Sequence, residues 1–177
     1  MALKPTIFKI KVALTDLDRE VYESLSLTIA QHPSETSERM MVRLLAYCLN
    51  YDEQLEFCKG LSDTEEPDLW ARALTGELDL WIEAGEPGAD RVKKVSRQAK
   101  KTIVYCFNTK SATWWQLESP KLAKLSATII QFSWPEIQKL ADLIERTMDI
   151  SVTITGNSVY VAAARGEVEL CLTTLQE

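Results

Sequence analysis

Histidine occurs once in this chain, at His32, which excludes a histidine-rich metal site and any mechanism that needs two imidazoles. The four cysteines, Cys48, Cys58, Cys106 and Cys171, lie far apart with no CxxC, so the sequence suggests neither a zinc site nor a disulfide framework. They read as reduced thiols that fill gaps in a core. Glycine is also sparse, six in 177 residues, and no GxGxxG, phosphate loop or nucleophile elbow is present. No stretch approaches the ~18 apolar residues of a membrane span, and the start lacks a basic-then-apolar leader pattern. The expected location is the cytoplasm, with no membrane contact. A ladder of stacked aromatics for single-stranded nucleic acid is missing too, because Trp114-Trp115 is one pair on a helix.

What remains has the composition of an ordinary globular protein, 46% apolar and 26% charged, enough for a sizeable core and expected to form a single domain over residues 1–177. The net charge of −6 argues against broad nucleic-acid binding, but the charge is unevenly spread. Asp52 to Asp68 holds seven acids and one lysine, whereas Asp90 to Lys101 holds six bases and one acid. The charge distribution leaves room for a locally basic face on an acidic protein.

Along the chain, Thr6 to Leu14 and Tyr22 to Ala30 alternate apolar and polar residues and predict a hairpin around Asp16-Leu17-Asp18-Arg19. Ser34 reads as the cap of a helix to about Asn50, with the stripe Met40, Met41, Leu44, Leu45, Cys48 and Leu49. Leu55 to Cys58 reads as a short strand, Gly60 to Pro67 as an acidic loop, and Pro67 as the start of a short helix containing Trp70. The alternating stretch Gly76 to Gly85 predicts a strand, with Leu78, Leu80 and Ile82 on one face and Glu77, Asp79, Trp81 and Glu83 on the other. Asp90 to Lys101 follows as a basic helix. Thr102 to Phe107 is a continuous apolar run, expected as a central parallel strand and completing a crossover unit. A short helix over Thr109 to Gln116, a strand over Lys124 to Phe132 and a helix from the Ser133 cap to Thr147 come next. The tail predicts a hairpin around Gly156-Asn157 and a third strand over Val168 to Leu172. The expected fold is α/β, a mixed β-sheet with helices packed on it and β-hairpins at both ends.

An acidic strand running into a basic helix is what a metal-dependent phosphodiesterase needs, and equally what a surface salt-bridge cluster looks like. In a regular strand Asp79 and Glu83 lie roughly 13 Å apart, so a shared metal requires a bend or bulge near Trp81.

Several segments together resemble a bacterial family. Thr6-Ile7-Phe8-Lys9, His32-Pro33-Ser34-Glu35-Thr36, Glu38-Arg39-Met40-Met41 and Asp79-Leu80-Trp81-Ile82-Glu83 with Gly85 look like the YaeQ family, and Arg91, Lys93-Lys94 and Trp114-Trp115 extend the match. The resemblance implies a variant of the PD-(D/E)xK nuclease fold, whose core runs helix, three strands, helix, strand. That motif has an Asp on one strand, a Glu-x-Lys on the next and often a Glu on the first helix. Carried over, it implies Asp79 and Glu83 as ligands of Mg²⁺ and Glu38 as the helix acid. Gly85 stands where the motif lysine belongs, so Lys94, with Gln98 beside it, is expected to reach back to the same point. The expected function is a metal-dependent nuclease or phosphodiesterase of unnamed substrate, with nucleic acid as candidate partner. The alternative is a non-catalytic module that keeps the fold and docks a protein or nucleic acid.

Overall fold

Strict alternation builds the amino-terminal hairpin of this computed structural model, which describes residues 3–177. In Thr6–Asp16 (β1), Phe8, Ile10, Val12 and Leu14 are buried while Lys9 and Lys11 face solvent. Val21–Gln31 (β2) returns antiparallel along the whole of β1, Thr6 opposite Gln31 and Asp16 opposite Val21. Asp16 closes the turn, its Oδ1 accepting the amide N–H groups of Asp18 and Arg19 at 3.1 Å each. The Arg19 guanidinium then donates to Tyr51 O and Cys48 O, where a cation suits the carbonyl end of the following helix.

That helix, Ser37–Leu49 (α1), starts later than the sequence suggests. The cap is Thr36, whose Oγ1 accepts from Arg39 N at 3.2 Å. Ser34 is occupied elsewhere, with its hydroxyl 2.6 Å from His32 Nδ1. Met41, Leu44, Leu45 and Cys48 are fully buried, and so are Met40, Val42 and Ala46 on the other sides. A helix apolar most of the way round is an interior helix, and burying each large side chain contributes about 1.5–3 kcal/mol as an upper figure.

Leu55–Phe57 (β3), Leu69–Arg72 (β4) and Leu78–Ala84 (β5) form an antiparallel meander, with a 3₁₀ turn at Gly60–Ser62 between β3 and β4. The segment after Pro67 is thus a strand, not the expected helix, because Leu69, Trp70 and Ala71 pair with Ile82, Trp81 and Leu80. Ala89–Ser96 (α2) then crosses to Ala99–Cys106 (β6), which runs parallel to β5. The helix stops five residues short of Lys101, since residues 99–101 are claimed by the β5 ladder. Ser111–Leu122 (α3) outlasts its expected end and accommodates Pro120 in its last turn, and the next strand is confined to Thr128–Phe132 (β7), parallel to β6. Trp134–Ala141 (α4) ends well before Thr147, because Thr147–Thr155 (β8) lies parallel to β1. Ser158–Ala163 (β9) and Gly166–Gln176 (β10) complete the expected tail.

The sheet order is β2-β1-β8-β9-β10-β7-β6-β5-β4-β3. Its two halves meet in one strand: β10 pairs with β9 through Gly166–Cys171 and with β7 from Leu172 onward. The main core gathers inward residues of both halves with α1 and α4, for example Ile10, Val152, Leu44, Ile82, Phe132 and Leu140. A smaller cluster lies under α2 and α3, around Val92, Val104, Leu122 and Ile129. Among the described residues no helix is long and apolar enough to cross a membrane.

Candidate functional site

The element order α1, β3, β4, β5, α2, β6 brings four segments to one place: the entry to α1, the entry to β4, the end of β5 and the start of α2. Asp68 immediately precedes β4 and is buried. Its Oδ2 accepts from Ala84 N at 2.8 Å, which fixes its carboxylate beside the end of β5, and its Oδ1 accepts from Arg39 Nη2 at 2.6 Å. Arg39 also donates through Nη1 to Glu35, which is gripped in turn by Arg43 Nη2 at 2.6 Å and Arg43 Nε at 3.0 Å. Burial alone would lower the Arg39 pKa, but Asp68 and Glu35 outweigh it and hold it above the ordinary arginine value.

Glu83, the penultimate residue of β5, lies on the other side of Asp68. Trp81 Nε1 and Arg91 Nε both donate to its Oε1 at 2.9 Å, which leaves Oε2 without a protein donor among the described residues. Burial pushes the Glu83 carboxyl above its usual range, with Asp68 adding to the shift and the Trp81 and Arg91 donors opposing it. Arg91, in the first turn of α2, also donates to Thr64 O at 2.7 Å and Glu66 O at 3.3 Å, tying the acidic loop to the helix. The helix itself is held at its start by α3. Gly88 has no side chain with which to cap, and Glu118 Oε2 accepts from Ala89 N at 2.9 Å in its stead.

Two adjoining cavities open over this arrangement and share Arg39, Gly60, Leu61, Glu66 and Asp68. One, of about 470 Å³, extends past His32, Glu35 and Phe57. The other, of about 360 Å³, extends past Glu83, Gly85, Glu86 and Arg91. The second has four carboxylates in its walls, Glu66, Asp68, Glu83 and Glu86, against two guanidiniums, Arg39 and Arg91.

The sequence profile of the YaeQ protein family matches residues 1–172. This chain belongs to the YaeQ family. It is 39% identical to "Uncharacterized protein YaeQ" of Salmonella typhi and 38% identical to the Escherichia coli (strain K12) protein of that description, in each case over 100% of this chain and 99% of the relative. Among solved structures it is similar to the crystal structure of YaeQ protein from Pseudomonas syringae, with a TM-score of 0.93, 40% identity, and 98% of this chain and 97% of that one covered. The Xanthomonas axonopodis pv. citri structure gives a TM-score of 0.93 at 38% identity, covering 97% and 98%. The mixed α/β fold is that of these family members.

Of the expected site residues Glu38, Asp79, Glu83, Lys94 and Gln98, Glu83 stands in the cleft and the other four stand outside it. Asp79 is directly across the β5–β6 ladder from Lys100, whose Nζ lies 2.8 Å from Asp79 Oδ1 and 3.2 Å from Glu77 Oε2. Residues 80–84 keep an unbroken register with residues 101–105, but on the β4 side the register shifts between Ala71 and Arg72, a bulge near Trp81 that leaves Asp79 unpaired with β4. It does not bring Asp79 into the cleft, since Asp79 lines neither cavity and its carboxylate lies at Lys100. Trp81 is buried and serves as a donor to Glu83. Lys94 sits at the exposed rim, 3.2 Å from Glu65 Oε2, and Gln98 is exposed beyond the end of α2. Glu38 is half-buried on α1 and lines neither cavity; Glu35, before the cap, enters in its place. Sequence reasoning missed Asp68. The signal was Pro67-Asp68 ahead of Leu69-Trp70-Ala71, obscured by the surrounding loop acids.

The second cavity holds two more carboxylates than guanidiniums, and Glu83 Oε2 is unengaged. Asn108, Ser111 and the 107–108 backbone surround the Glu86 carboxyl, yet its buried Oε2 has no partner at hydrogen-bonding geometry, and burial raises its pKa. Asp68 uses both oxygens on Arg39 and Ala84, and among the described residues no three acid, cysteine or histidine side chains gather closely enough to ligate a metal.

Proposed function

We propose that this protein is a divalent-cation-dependent phosphodiesterase whose centre is formed by Asp68 and Glu83, not by Asp79 and Glu83. The observation that carries the reading is the hydrogen bond from Ala84 N to Asp68 Oδ2, which sets an aspartate at the start of one strand against a glutamate on the next. Support comes from its likeness to the nuclease motif that the family resemblance implies, and from the order α1, β3, β4, β5, α2, β6, a helix, three strands, a helix and a strand. Asp68 and Glu83 would hold the ion, which would polarise the phosphate and supply hydroxide. Arg91 takes the part of the missing lysine. It projects from α2 to the Glu83 carboxylate, so a positive charge stands where Gly85 offers none, next to developing oxyanion charge. Arg39 donates to Asp68 Oδ1, the oxygen that such an ion would share.

The test is cleavage of bis(para-nitrophenyl) phosphate and of DNA and RNA with Mg²⁺ or Mn²⁺. Asp68→Asn is expected to lose metal binding and turnover. Arg91→Ala is expected to lower kcat ~10²–10³-fold, as loss of one oxyanion-stabilising donor does, while Lys94→Ala changes it little. A second reading, a non-catalytic binding module, is favoured by the arginine partners of Glu35, Asp68 and Glu83 and by the absent lysine at Gly85. Equal, metal-independent background from wild type and Asp68→Asn would leave that reading in place.

A further inference from the structure

Beyond the cleft, α2 and the end of α3 enclose a groove of about 580 Å³ whose walls carry Lys93, Arg97, Lys121 and Lys124 with the hydroxyls of Ser96 and Ser126. Asp90 is the single acid in those walls. All four cations are exposed, and among the described residues none of them is in an ion pair. What sets them apart is that they gather in one groove, since Lys9, Lys11 and Lys139, among others, are also in no ion pair among the described residues. Arg19, Arg39, Arg43, Arg91, Lys94 and Lys100 each hold a carboxylate, on a protein whose net charge is −6. Four unneutralised cations brought together against the sign of the whole molecule repel one another, and a bound polyanion relieves that cost.

The shape selects among polyanions. Lys93 stands in the last turn of α2 with Arg97 at its C-cap, and Lys121 stands in the last turn of α3 with Lys124 in the turn just beyond it, so each pair sits at the carboxyl end of a helix. Two pairs of charge thus line one groove. No aromatic ring lines it on which a base could stack, and Leu125 is its one large apolar side chain, too little to anchor an acidic peptide. Flexible cations and hydroxyls without base-reading or stacking groups suit phosphates of a paired backbone.

We propose that the α2–α3 groove is a sequence-independent track for the phosphate backbone of double-stranded nucleic acid, held by Lys93, Arg97, Lys121 and Lys124. The same helix sends Arg91 to Glu83 and presents Lys93 and Arg97 to the groove, so a duplex in the track passes the mouth of the Asp68–Glu83 cleft. What the cleft then does to that duplex rests on the phosphodiesterase reading; the binding does not.

The test is fluorescence anisotropy with two unrelated labelled duplexes of about 20 base pairs, without divalent metal. Neutralising four phosphates should give a log Kobs against log salt slope of about −3.6, a ~150-fold loss of affinity between about 50 and 200 mM salt. Lys121→Glu with Lys124→Glu should weaken binding at least ~10-fold and halve the slope to about −1.8. The milder Lys121→Gln, Lys124→Gln pair should act in the same direction, and Lys9→Glu with Lys11→Glu, on the exposed face of β1, should change nothing. Asp68→Asn should keep full duplex binding, and the groove variants should cleave bis(para-nitrophenyl) phosphate at the wild-type rate, so the two readings fail separately. The proposal is overturned if duplex does not bind at low salt, if the β1 pair weakens binding as much as the groove pair, or if a polyglutamate peptide displaces the duplex as well as unlabelled duplex does.

Discussion

Arg39→Ala tests whether the arginine network over the cleft behaves as a buried structure. The Arg39 side chain is 16% exposed and the Glu35 and Asp68 side chains that it joins are 1% exposed, so this is an interior ion triad. Breaking a buried pair costs about 3–5 kcal/mol, because the remaining charge loses its partner without regaining water. The low end applies here. Glu35 keeps both contacts from Arg43, and Asp68 Oδ2 keeps the Ala84 amide; Asp68 Oδ1 alone loses its recorded donor. The expected loss is therefore about 3 kcal/mol, or a fall in Tm of about 6–12 °C for a chain of this length. Urea unfolding at neutral pH measures it, and the double variant Arg39→Met, Asp68→Leu should recover much of the loss by removing both charges at once. A loss below about 1 kcal/mol, as for a solvent-exposed pair, would refute the buried-network account. The same variant reports on the metal. With Asp68 Oδ1 released, Mg²⁺ should stabilise Arg39→Ala more than wild type, by up to ~2.7 kcal/mol at a hundred times Kd, read as a larger rise in Tm. Equal responses would break the proposed competition between Arg39 and the ion.

Two further outcomes concern the cleft. Because burial raises the pKa of Glu83 in the folded state, the native protein holds its proton to higher pH than the unfolded chain does, and stability falls as pH rises from the free-carboxylate value through the folded one. Glu83→Gln should remove its share of that slope in urea unfolding across the acidic range, leaving the Glu86 share; an unchanged slope refutes the assignment. Gly85 has φ +128, and a Cβ built there meets nothing within 4 Å, so restoring the motif residue by Gly85→Lys should give a folded protein that is about 1–3 kcal/mol less stable from backbone strain alone, read as a Tm shift; an unshifted Tm would show that the backbone relaxes.

The parts of the fold that were legible in the sequence are those in which one residue period persists. β1 alternates along most of its length and β2 from Ser24 onward, and the apolar run at Ile103 to Phe107 has no polar break, so each pointed to one environment. β4 is four residues long and begins after a proline in an acidic stretch, too short for a period to show, and its pairing with β5 decides its conformation. The site was legible by half. Glu83 and Asp79 carry the same signal in sequence, two acids on one strand face, and differ only in what lies opposite: Lys100 across the ladder for one, Asp68 and α2 beside the other. Burial separates a buried acid from an exposed one, and burial at Asp68 is created by α1 and β5, neither of which is local to it.

The division of β10 between β9 and β7 sets a timetable for the nascent chain. The hairpin of β1 and β2 can close as soon as it emerges, but the second edge of β1 waits for β8, roughly 140 residues later, or about 7–28 s of synthesis. β3 through β7 can assemble meanwhile on local connections, yet the two halves of the sheet share no strand until Gly166–Gln176 arrives, after every other element. Before then the inward residues of both halves and the apolar faces of α1 and α4 lack their mutual cover. A ribosome stalled before Gly166 would therefore present two sticky half-sheets with open edges, a species suited to capture by holdase chaperones and proteases, and the last strand works as the clasp that withdraws it from them.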